Sequence, residues 1–388
     1  MERIYLDHNA STPLDPRVLE AMLPVLTDSF GNASSLHWFG QQARAVLDEA
    51  RGHVAALFRA TPSEVVFTAS GTEADNMALR GILGMARGDR RKLLYSAIEH
   101  HAIVNTAKAL SEEGFPVEVV RVSSDGLLDL EDLRKKLDEG TALVAVMLAN
   151  NETGIVQPVE DVVKLAHDKG ALVHCDAVQA AGKIPVDVGV LGVDSLALSA
   201  HKIYGPKGVG ALYVKRGTRM KAFLRGGSQE RNRRAGTENV AGIAGLGRAA
   251  QLAREELAKV ETLAALRDRL EERLLAIPGA RRNGDGPRVP NTSNVSFEAA
   301  EAESLLMALD LAGIAVSTGA ACAAGAVEPS HVLRGMGLPM ERVQGSLRFS
   351  LGRTTTQAQV DRATAAVAEA VERQRTVARA HAPGRVRA

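Results

Sequence analysis

The chain has 388 residues, of which 45% are hydrophobic and 24% charged, so it is long enough to bury a full core and to divide into two domains. Its formal net charge of +1 gives no reason to expect a nucleic-acid or membrane partner. The N-terminus has no apolar signal core, and no stretch of about 20 uncharged apolar residues occurs, so we expect a cytoplasmic protein. Two cysteines, Cys175 and Cys322, are too few for a disulfide framework or a multi-thiolate metal site.

Apolar runs of strand length alternate with helical patterns through the first part of the chain. The predicted strands cover residues 65–67, 92–95, 117–122, 143–148, 172–174, 195–198 and 210–214. Continuous apolar runs separated by helices are typical of a mostly parallel sheet that is covered on both faces. The sequence therefore predicts an α/β domain with a mostly parallel, seven-stranded sheet.

The pattern changes after residues 236–247. Apolar residues then recur at three- and four-residue steps and predict a long amphipathic helix: Leu263, Leu266, Leu270, Leu274 and Ile277. A loop is predicted at 281–290, strands of a smaller sheet at 294–297, 315–316 and 347–351, and an alanine-rich helix at 360–371. We expect the first dozen residues to pack on this part. The predicted large domain spans residues 15–257, and a smaller α+β domain comprises residues 1–14 and 258–388.

Lys202 lies in a polar turn, SAHKIYGP at 199–206, that follows an apolar strand. An amine in such a turn can form a Schiff base with an aldehyde, and Asp176, at the end of the preceding strand, can keep a pyridinium nitrogen protonated. Their separation of 26 residues fits one strand-to-strand crossover, so both residues are expected at the same sheet edge. The pair predicts pyridoxal phosphate as cofactor.

Residues 68–76, TASGTEADN, follow a predicted strand and open a helix. The backbone N–H groups of Gly71 and Thr72, the Thr72 hydroxyl and the helix dipole can hold a phosphate. The same residues also fit a capping box with Thr72 as N-cap and Asp75 three residues later. No GxxxxGK[ST] or GxGxxG fingerprint occurs, which argues against an NTPase or a dinucleotide enzyme.

Two further polar groups follow predicted strands. His100 and His101 come after the strand at 92–95, where one ring can stack on a flat cofactor or act as a structural hydrogen bonder; no carboxylate or thiol stands at ligand spacing around them, so no metal is expected. Asn150 and Asn151 follow the most apolar strand. Their amides can bind a carboxylate or a phenolic oxygen, or form an Asx turn.

Cys322 lies in STGAACAAGA at 317–326, a run of small residues that is composed like a mobile loop. Cys175, by contrast, belongs to a periodic apolar strand and is interpreted as a core residue. Cys322 is therefore the candidate nucleophile. The sequence EPSH at 328–331 is predicted to end the loop and to start a helix.

Taken together and in this order, the motifs resemble those of the cysteine desulfurases of the NifS/IscS type. The resemblance runs from YLD at 5–7 to RFSLGR at 348–353. It rests on SGTEADN at 70–76, EHH at 99–101, NNE at 150–152, DAVQ at 176–179, SAHKIYGPKG at 199–208, RRAGTEN at 233–239, and Cys322 through EPSH. It implies the pyridoxal-phosphate-dependent transferase fold of type I, aminotransferase class V, and a homodimer that acts on L-cysteine.

The resemblance also implies roles for the cofactor site. Lys202 would bind the cofactor covalently, Asp176 would contact the pyridine nitrogen, Gln179 would donate to the ring oxygen, and His100 would stack on the ring. The cofactor phosphate would be held by Gly71, Thr72, Ser199, His201 and, reaching the opposite subunit's site, Thr237.

The resemblance implies further roles in substrate binding and catalysis. Asn151 would contact the cofactor and, with Arg348, the substrate carboxylate, which a guanidinium binds through two parallel hydrogen bonds. Lys202, once released, would take the Cα proton. Cys322 would accept the sulfur as a persulfide and pass it to an acceptor such as an iron–sulfur scaffold protein. Because an ordinary thiol has a pKa of about 8.5, its deprotonation needs assistance, for which His100 is the candidate.

Other functions remain open at this point. A selenocysteine lyase or cysteine-sulfinate desulfinase shares the cofactor machinery and need not depend on Cys322, and a class V aminotransferase has no use for that thiol. A non-catalytic sulfur-relay scaffold would not need Lys202, Asp176 and His100. The chain also departs from the family pattern, because alanines flank Cys322 where serines are usual, which puts the rate of the reaction in question.

Overall fold

The computed structural model describes residues 3–319, 322, 323 and 326–381, and the side chains of residues 322, 323, 326, 327 and 381 lie outside this description. The strands found there are β1 Ile4–Tyr5, β2 Val65–Thr68, β3 Lys92–Ser96, β4 Val117–Val120, β5 Thr141–Met147, β6 Leu172–Asp176, β7 Ser195–Ser199, β8 Gly210–Val214, β9 Ala280–Arg282, β10 Thr292–Phe297, β11 Ile314–Ala315, β12 Cys322–Ala323, β13 Ala326–Val327 and β14 Ser346–Ser350.

Helices connect most of these strands. They are α1 Pro16–Thr27, α2 Trp38–Leu57, α3 Gly71–Leu83, α4 His101–Glu112, α5 Leu130–Lys136, α6 Val159–Asp168, α7 Val188–Leu191, α8 Gln229–Asn232, α9 Val240–Glu256, α10 Val260–Leu275, α11 Ala302–Leu311, α12 His331–Gly335, α13 Met340–Gln344 and α14 Gln357–His381. Short 3-10 turns occur at Pro62–Glu64, Ala200–Lys202 and Leu257–Lys259.

In the described part of the chain, seven strands form the large sheet in the order β2-β8-β7-β6-β5-β3-β4. The pairs from β4 to β7 are parallel, whereas β8 runs antiparallel to both of its neighbours. The predicted α/β class and mostly parallel sheet are confirmed. Because the parallel strands point the same way, their carboxyl ends form one edge, and the loops that leave this edge converge.

The two faces of the large sheet are covered by different helices. Side chains alternate along a strand, so Val144 and Val146 of β5 pack into one apolar cluster with α2, α6 and α9. Leu143 and Ala145 point to the other face and pack with α3 and α4. Cys175 is fully buried in the first cluster, as its interpretation as a core residue required. Burial on both faces explains why these strands read as continuous apolar runs.

A second group of strands and helices has its own apolar core. β10 pairs antiparallel with β14 and β9, and β1 pairs with β11. Ile4 and Leu6 are buried in this core beside residues of α10, α11 and α14, as expected for the start of the chain. The expectation does not hold for all of the first dozen residues, because the Thr12 N–H donates to the His201 carbonyl after β7. The division between domains at residues 14/15 and 257/258 stays a prediction. No helix in the described residues is long and apolar enough to span a bilayer.

Two local expectations for this region were wrong. Residues 281 and 282 were assigned to a loop but belong to β9, an edge strand with one neighbour, where arginine side chains remain compatible with strand pairing. Residue 315 was expected in the same small sheet as 294–297 and 347–351, but it pairs with β1 in a separate two-stranded sheet. The β1–β11 pairing joins strands that are distant in sequence, whereas β9 and β10 are separated by a short connection.

Candidate active site

The carboxyl ends of β6 and β7 bring Asp176 and Lys202 into one cavity of about 210 Å³. Asp176 is the last residue of β6 and pairs with Ala197 of β7 in parallel register. Lys202 ends the 3-10 turn that follows β7. The single crossover between the two strands therefore places the carboxylate and the amine at the same sheet edge.

Most of the predicted site residues line this cavity. They are Gly71, Thr72, His100, Asn151, Asp176, Gln179, Ser199, His201 and Lys202. Ser70, Asp75, Met147 and Val178 also line it and were not predicted as site residues. Arg348 is buried beside Asn151, and Thr237 is exposed; neither is among the lining residues of this chain's cavity.

Burial raises the pKa of the Asp176 carboxyl to about 6, despite a hydrogen bond from the Val178 N–H and attraction to Lys202. The carboxylate is nevertheless the form that these two partners favour. A cationic ring nitrogen next to it would favour that form further. Asp176 thus has the chemistry needed to hold a protonated pyridine nitrogen.

Burial, with the nearby charge of Arg348, lowers the pKa of Lys202 to about 8. The Lys202 ammonium donates hydrogen bonds to the backbone carbonyl oxygens of Asn9 and, at 2.9 Å, Ala10. A lysine with this pKa is partly uncharged near neutral pH, and the uncharged amine is the nucleophile and base. The environment therefore suits both Schiff-base formation and proton transfer.

The turn at the start of α3 has the composition of an anion site. Gly71 opens this 13-residue helix, so the unpaired N–H groups of the first turn and the helix dipole favour negative charge there. A Cβ at Gly71 would lie 2.9 Å from Val178 Cγ2 and 3.3 Å from Ser199 Cβ. Only glycine therefore permits the close approach between this turn and the end of β7.

The capping-box interpretation of this turn was wrong in its residues. Ser70 is the N-cap, and its hydroxyl accepts the Glu73 N–H at 3.0 Å, so the Thr72 hydroxyl is not needed as a cap. Asp75 is buried and contacts His174 Nε2 at 3.0 Å. Burial and the charge of Asp176 raise the pKa of Asp75 well above its ordinary value. The sequence analysis missed Asp75 as a site residue and its partner His174. A signal for them was the i, i+2 spacing of His174 and Asp176, which places both side chains on one face of β6.

His100 caps α4, because its Nδ1 accepts the Ala102 N–H at 3.1 Å. Burial and the neighbouring charge of Lys202 lower the pKa of His100 to about 4, so the ring is neutral. With Nδ1 acting as an acceptor, the proton of the neutral ring is on Nε2. His100 therefore acts as a structural hydrogen bonder and also faces the cavity. Because Nε2 already carries the proton, it can accept another only if the hydrogen bond at Nδ1 is lost and the ring changes tautomer.

The asparagine pair after β5 divides two tasks. Asn150 forms the Asx turn, because its Oδ1 accepts the N–H groups of Glu152 and Thr153, both at 2.9 Å. Asn151 lines the cavity, and its Oδ1 is buried without a hydrogen-bond partner in the described residues. Arg348 Nε is likewise buried and unpaired there, although Nη1 donates to the Asn151 carbonyl at 2.9 Å. Such unpaired groups are costly unless a ligand satisfies them.

A strained segment precedes Thr237. Residues 230–232 are not glycine but have φ values of 45°, 58° and 61°, which carry a cost that the surroundings must offset. The buried Glu230 carboxylate provides an anchor: it pairs with Arg51 at 2.7 Å and accepts the Phe67 N–H at 3.0 Å. Phe67 belongs to β2, the strand that leads into the turn at the start of α3. The contacts of Glu230 therefore hold residues 230–232 close to that turn.

The backbone of Cys322 belongs to β12, which pairs with β13. Its side chain and residues 320, 321, 324 and 325, on which the mobile-loop prediction falls, lie outside the described residues. The predicted helix start after the loop is confirmed, because Ser330 caps α12. The Ser330 hydroxyl also donates to Glu152 at 2.5 Å, and burial raises the pKa of Glu152 to about 7.

Residues 4–363 match the family model described as aminotransferase class-V. The chain belongs to this family. It is 50% identical over 383 residues to a cysteine desulfurase of Nostoc sp., covering 97% of this chain and 95% of that protein. It is 44% identical over 381 residues to the cysteine desulfurase IscS of Dictyoglomus turgidum, covering 96% of each. A solved NifS-like protein superposes with a TM-score of 0.90 at 39% identity, covering 96% of this chain and all of that one. The predicted NifS/IscS membership is confirmed.

Proposed function

We propose that the protein is a pyridoxal-phosphate-dependent cysteine desulfurase. It removes the sulfur of L-cysteine, releases L-alanine and receives the sulfur on Cys322 as a persulfide. The observation that carries the proposal is a single cavity that combines Lys202, Asp176 and the anion turn at Gly71. The two relatives described above match nearly the whole length of the chain, and both are named cysteine desulfurases.

The residues of the cavity fit pyridoxal phosphate. Lys202 supplies the amine for the aldehyde, Asp176 the anion for the ring nitrogen, Gln179 a donor for the ring oxygen, and His100 a neutral ring face. The phosphate fits the helix start at Gly71 and Thr72, with Ser199 and His201 as further donors. When bound, the cofactor supplies an electron sink that stabilises negative charge on the substrate carbon next to the amine.

Substrate binding is assigned to the unpaired groups beside the cavity. Arg348 Nε can donate to a carboxylate oxygen, and Asn151 Oδ1 can accept from an N–H group. An α-amino acid carries both kinds of group on one carbon. Asp7 contacts Arg348 Nη2 at 2.6 Å and thereby holds the guanidinium in place.

Proton transfer is assigned to Lys202 and sulfur transfer to Cys322. The Lys202 amine, partly uncharged near neutral pH, takes the proton from the substrate Cα. The Cys322 thiolate then attacks the substrate sulfur, and the bond between sulfur and the substrate Cβ breaks with its electron pair left on carbon. Protonation of that carbon gives the methyl group of alanine, so no external oxidant is needed. His100 Nε2, which carries the ring proton, is a hydrogen-bond donor to the thiolate or sulfur; it becomes a base only in the other tautomer.

The biological setting is also part of the proposal. A homodimer is supported by exposed apolar side chains around the start of α2, where Phe30, Leu36 and Trp38 are 76%, 92% and 63% exposed. The exposed position of Thr237 fits a residue that serves the opposite subunit's site. The sulfur acceptor is a protein such as an iron–sulfur scaffold, and the location is cytoplasmic.

The decisive experiment compares Cys322→Ser with Cys175→Ala in an assay of alanine and sulfide from L-cysteine. We expect Cys322→Ser to abolish both products, and mass spectrometry after L-cysteine treatment to find one added sulfur on the wild-type Cys322 peptide. Cys175→Ala removes the other thiol from the core and should retain activity, so it controls for loss of a thiol as such.

Retained alanine formation in Cys322→Ser would contradict the persulfide step. If selenocysteine or cysteine sulfinate is then the better substrate, the protein is a lyase or desulfinase. If purified protein has no visible absorbance and gains none with pyridoxal phosphate, the enzyme proposal itself is wrong and a sulfur-relay scaffold is favoured.

A further inference from the structure

Lys183 is a second lysine buried beside the cavity, and none of the mechanistic roles above uses it. It is 8% exposed. Its amine donates to Gln179 Oε1 at 2.6 Å and to Asn9 Oδ1 at 3.0 Å, and among its contacts in the described residues there is no carboxylate. Burial, with the charges of Lys202 and Arg348, lowers the pKa of Lys183 well below its ordinary value. The N–H groups of this amine are donors, and both atoms that they face are oxygen acceptors.

The contacts of Gln179 fix the orientation of its amide. Nε2 donates to the Asn9 carbonyl at 2.9 Å, and a carbonyl can only accept. Oε1 faces the Lys183 amine, which donates to it. The reverse orientation would place the Gln179 oxygen against the Asn9 carbonyl and its N–H groups against the amine. Since Gln179 lines the cavity, the second Nε2 hydrogen is the one available to a ligand there.

Lys183 therefore affects Gln179 in two ways. By donating to Oε1 it supports the orientation that the Asn9 carbonyl requires. The same hydrogen bond polarises the amide and strengthens its N–H groups as donors. Both effects favour donation from Nε2 into the cavity. The second contact of Lys183, with Asn9 Oδ1, also steadies the residue whose carbonyl accepts from Gln179 and from Lys202.

We propose that Lys183 is a positioning residue that makes Gln179 an obligatory hydrogen-bond donor to the cofactor site. It contacts neither substrate nor cofactor and acts through Gln179. The proposal rests on the assignment of pyridoxal phosphate above but not on desulfurase activity. It adds to the site a residue 19 positions away from Lys202 that no motif in the chain marked.

The effect should be visible in the absorbance of the holoenzyme. A donor to the ring oxygen stabilises the oxygen as an anion and lowers the pKa of the bound chromophore. Removing this donor in Gln179→Leu should raise that pKa, and Lys183→Met, which keeps the length and removes the amine, should raise it by roughly 0.5–1 pH unit. The measurement is a pH titration of the visible spectrum, which requires no turnover.

A double-mutant cycle separates positioning from a general structural role. If Lys183 acts through Gln179, the combined variant Lys183→Met/Gln179→Leu should have the chromophore pKa of Gln179→Leu alone. Lys164→Met, at an exposed lysine of α6, is the control and should leave the titration unchanged. Additive shifts in the double variant, or an unshifted titration in Lys183→Met, would overturn the proposal.

A second variant covers the case in which Lys183→Met does not fold. Lys183→Gln retains an N–H donor in a shorter side chain and should give a smaller rise of the chromophore pKa than loss of Gln179; a rise as large as that of Gln179→Leu would count against positioning. A protein without a visible band would instead remove the cofactor assignment, and this role with it. The two failures are therefore distinguishable by colour alone.

Discussion

The floor of the cavity and its rim differ in how their polar groups are satisfied. The floor, formed by Asp176, Gln179 and Lys202, is already hydrogen-bonded to neighbouring backbone or side-chain groups. The rim is Asn151, which lines the cavity, together with Arg348, which contacts Asn151 from outside the lining. It retains a buried oxygen and a buried N–H without partners in the described residues. The floor thus has the properties of a site for a resident group, and the rim those of a site for a group that arrives and leaves with each turnover.

The two regions also differ in the elements that carry them. The floor is carried by the ends of adjacent strands β6 and β7 of one sheet, whose register fixes the distances. The rim joins the segment after β5 to β14 of the small sheet. The proposed substrate contacts therefore depend on how the second group of strands packs against the first. Substitutions in the floor should change the rate of the reaction or the stability of the apoprotein. Substitutions in the rim should change the affinity for substrate.

Lys202→Ala should have the largest effect on catalysis. Loss of the amine removes covalent cofactor attachment and the base, so alanine formation should fall by on the order of 10²–10⁴-fold or more. Borohydride reduction followed by peptide mapping should find the cofactor on the Lys202 peptide in wild type. Lys207→Ala changes an exposed lysine five residues after Lys202 and should retain activity. Labelling of another lysine in wild type would contradict the assignment of the floor.

Asp176→Asn should change the pH dependence of apoprotein stability. The folded-state pKa of about 6 lies above the ordinary value of 3.8, so the folded protein binds this proton more tightly than the unfolded chain does. Ionisation of this carboxyl therefore lowers the free energy of unfolding as pH rises from about 4 to about 6. Above pH 6 the loss amounts to about 3 kcal/mol. Urea unfolding should find Asp176→Asn more stable than wild type at pH 8 and equal to it at pH 4. A variant that is less stable at pH 8 would show that attraction to Lys202 outweighs burial.

Arg348→Lys should have the smallest of these effects and should act on substrate binding. Lysine retains a charge for Asp7 but cannot reproduce the planar array of donors, so KM for L-cysteine should rise roughly tenfold or more with little change in kcat. Steady-state kinetics measures both constants. Arg353→Lys is a matched control at a partly buried arginine whose contacts include Asp15, Tyr204 and Glu256. A fall in kcat at unchanged KM would contradict a role in substrate binding and would assign Arg348 to the catalytic step.

The sequence was most informative where local composition determines structure. Most strands of the large sheet were predicted because burial on both faces makes them continuous apolar runs. The edge strand β4 is partly exposed and contains Glu118, and its valines carried the prediction. Lys202 and Asp176 were placed at one edge because consecutive parallel strands share their direction. β9 was missed because an edge strand of arginines has no apolar pattern and depends on β10 for its pairing.

Other parts of the site depend on contacts between distant segments and have no sequence signal. Asn9 and Lys183 meet across 174 positions. Glu230 anchors a strained segment by reaching Arg51, 179 positions away. The cap of α3 was assigned to Thr72 and not to Ser70 because both residues satisfy the local preference, and the backbone geometry of the turn decides between them. Such choices require the folded chain.

Residues near the start of this sequence have partners that lie far along the chain. β1 pairs with β11, and the Asn9 N–H donates to the Ser350 hydroxyl 341 positions later. The carbonyl of Asn9 nevertheless accepts from Lys202. A chain without β14 lacks the Ser350 hydroxyl that holds the Asn9 N–H, and Asn9 is the residue whose carbonyl accepts from the lysine. Contacts of this sequence separation raise the contact order, so we expect complete docking of this segment to be a late step of folding.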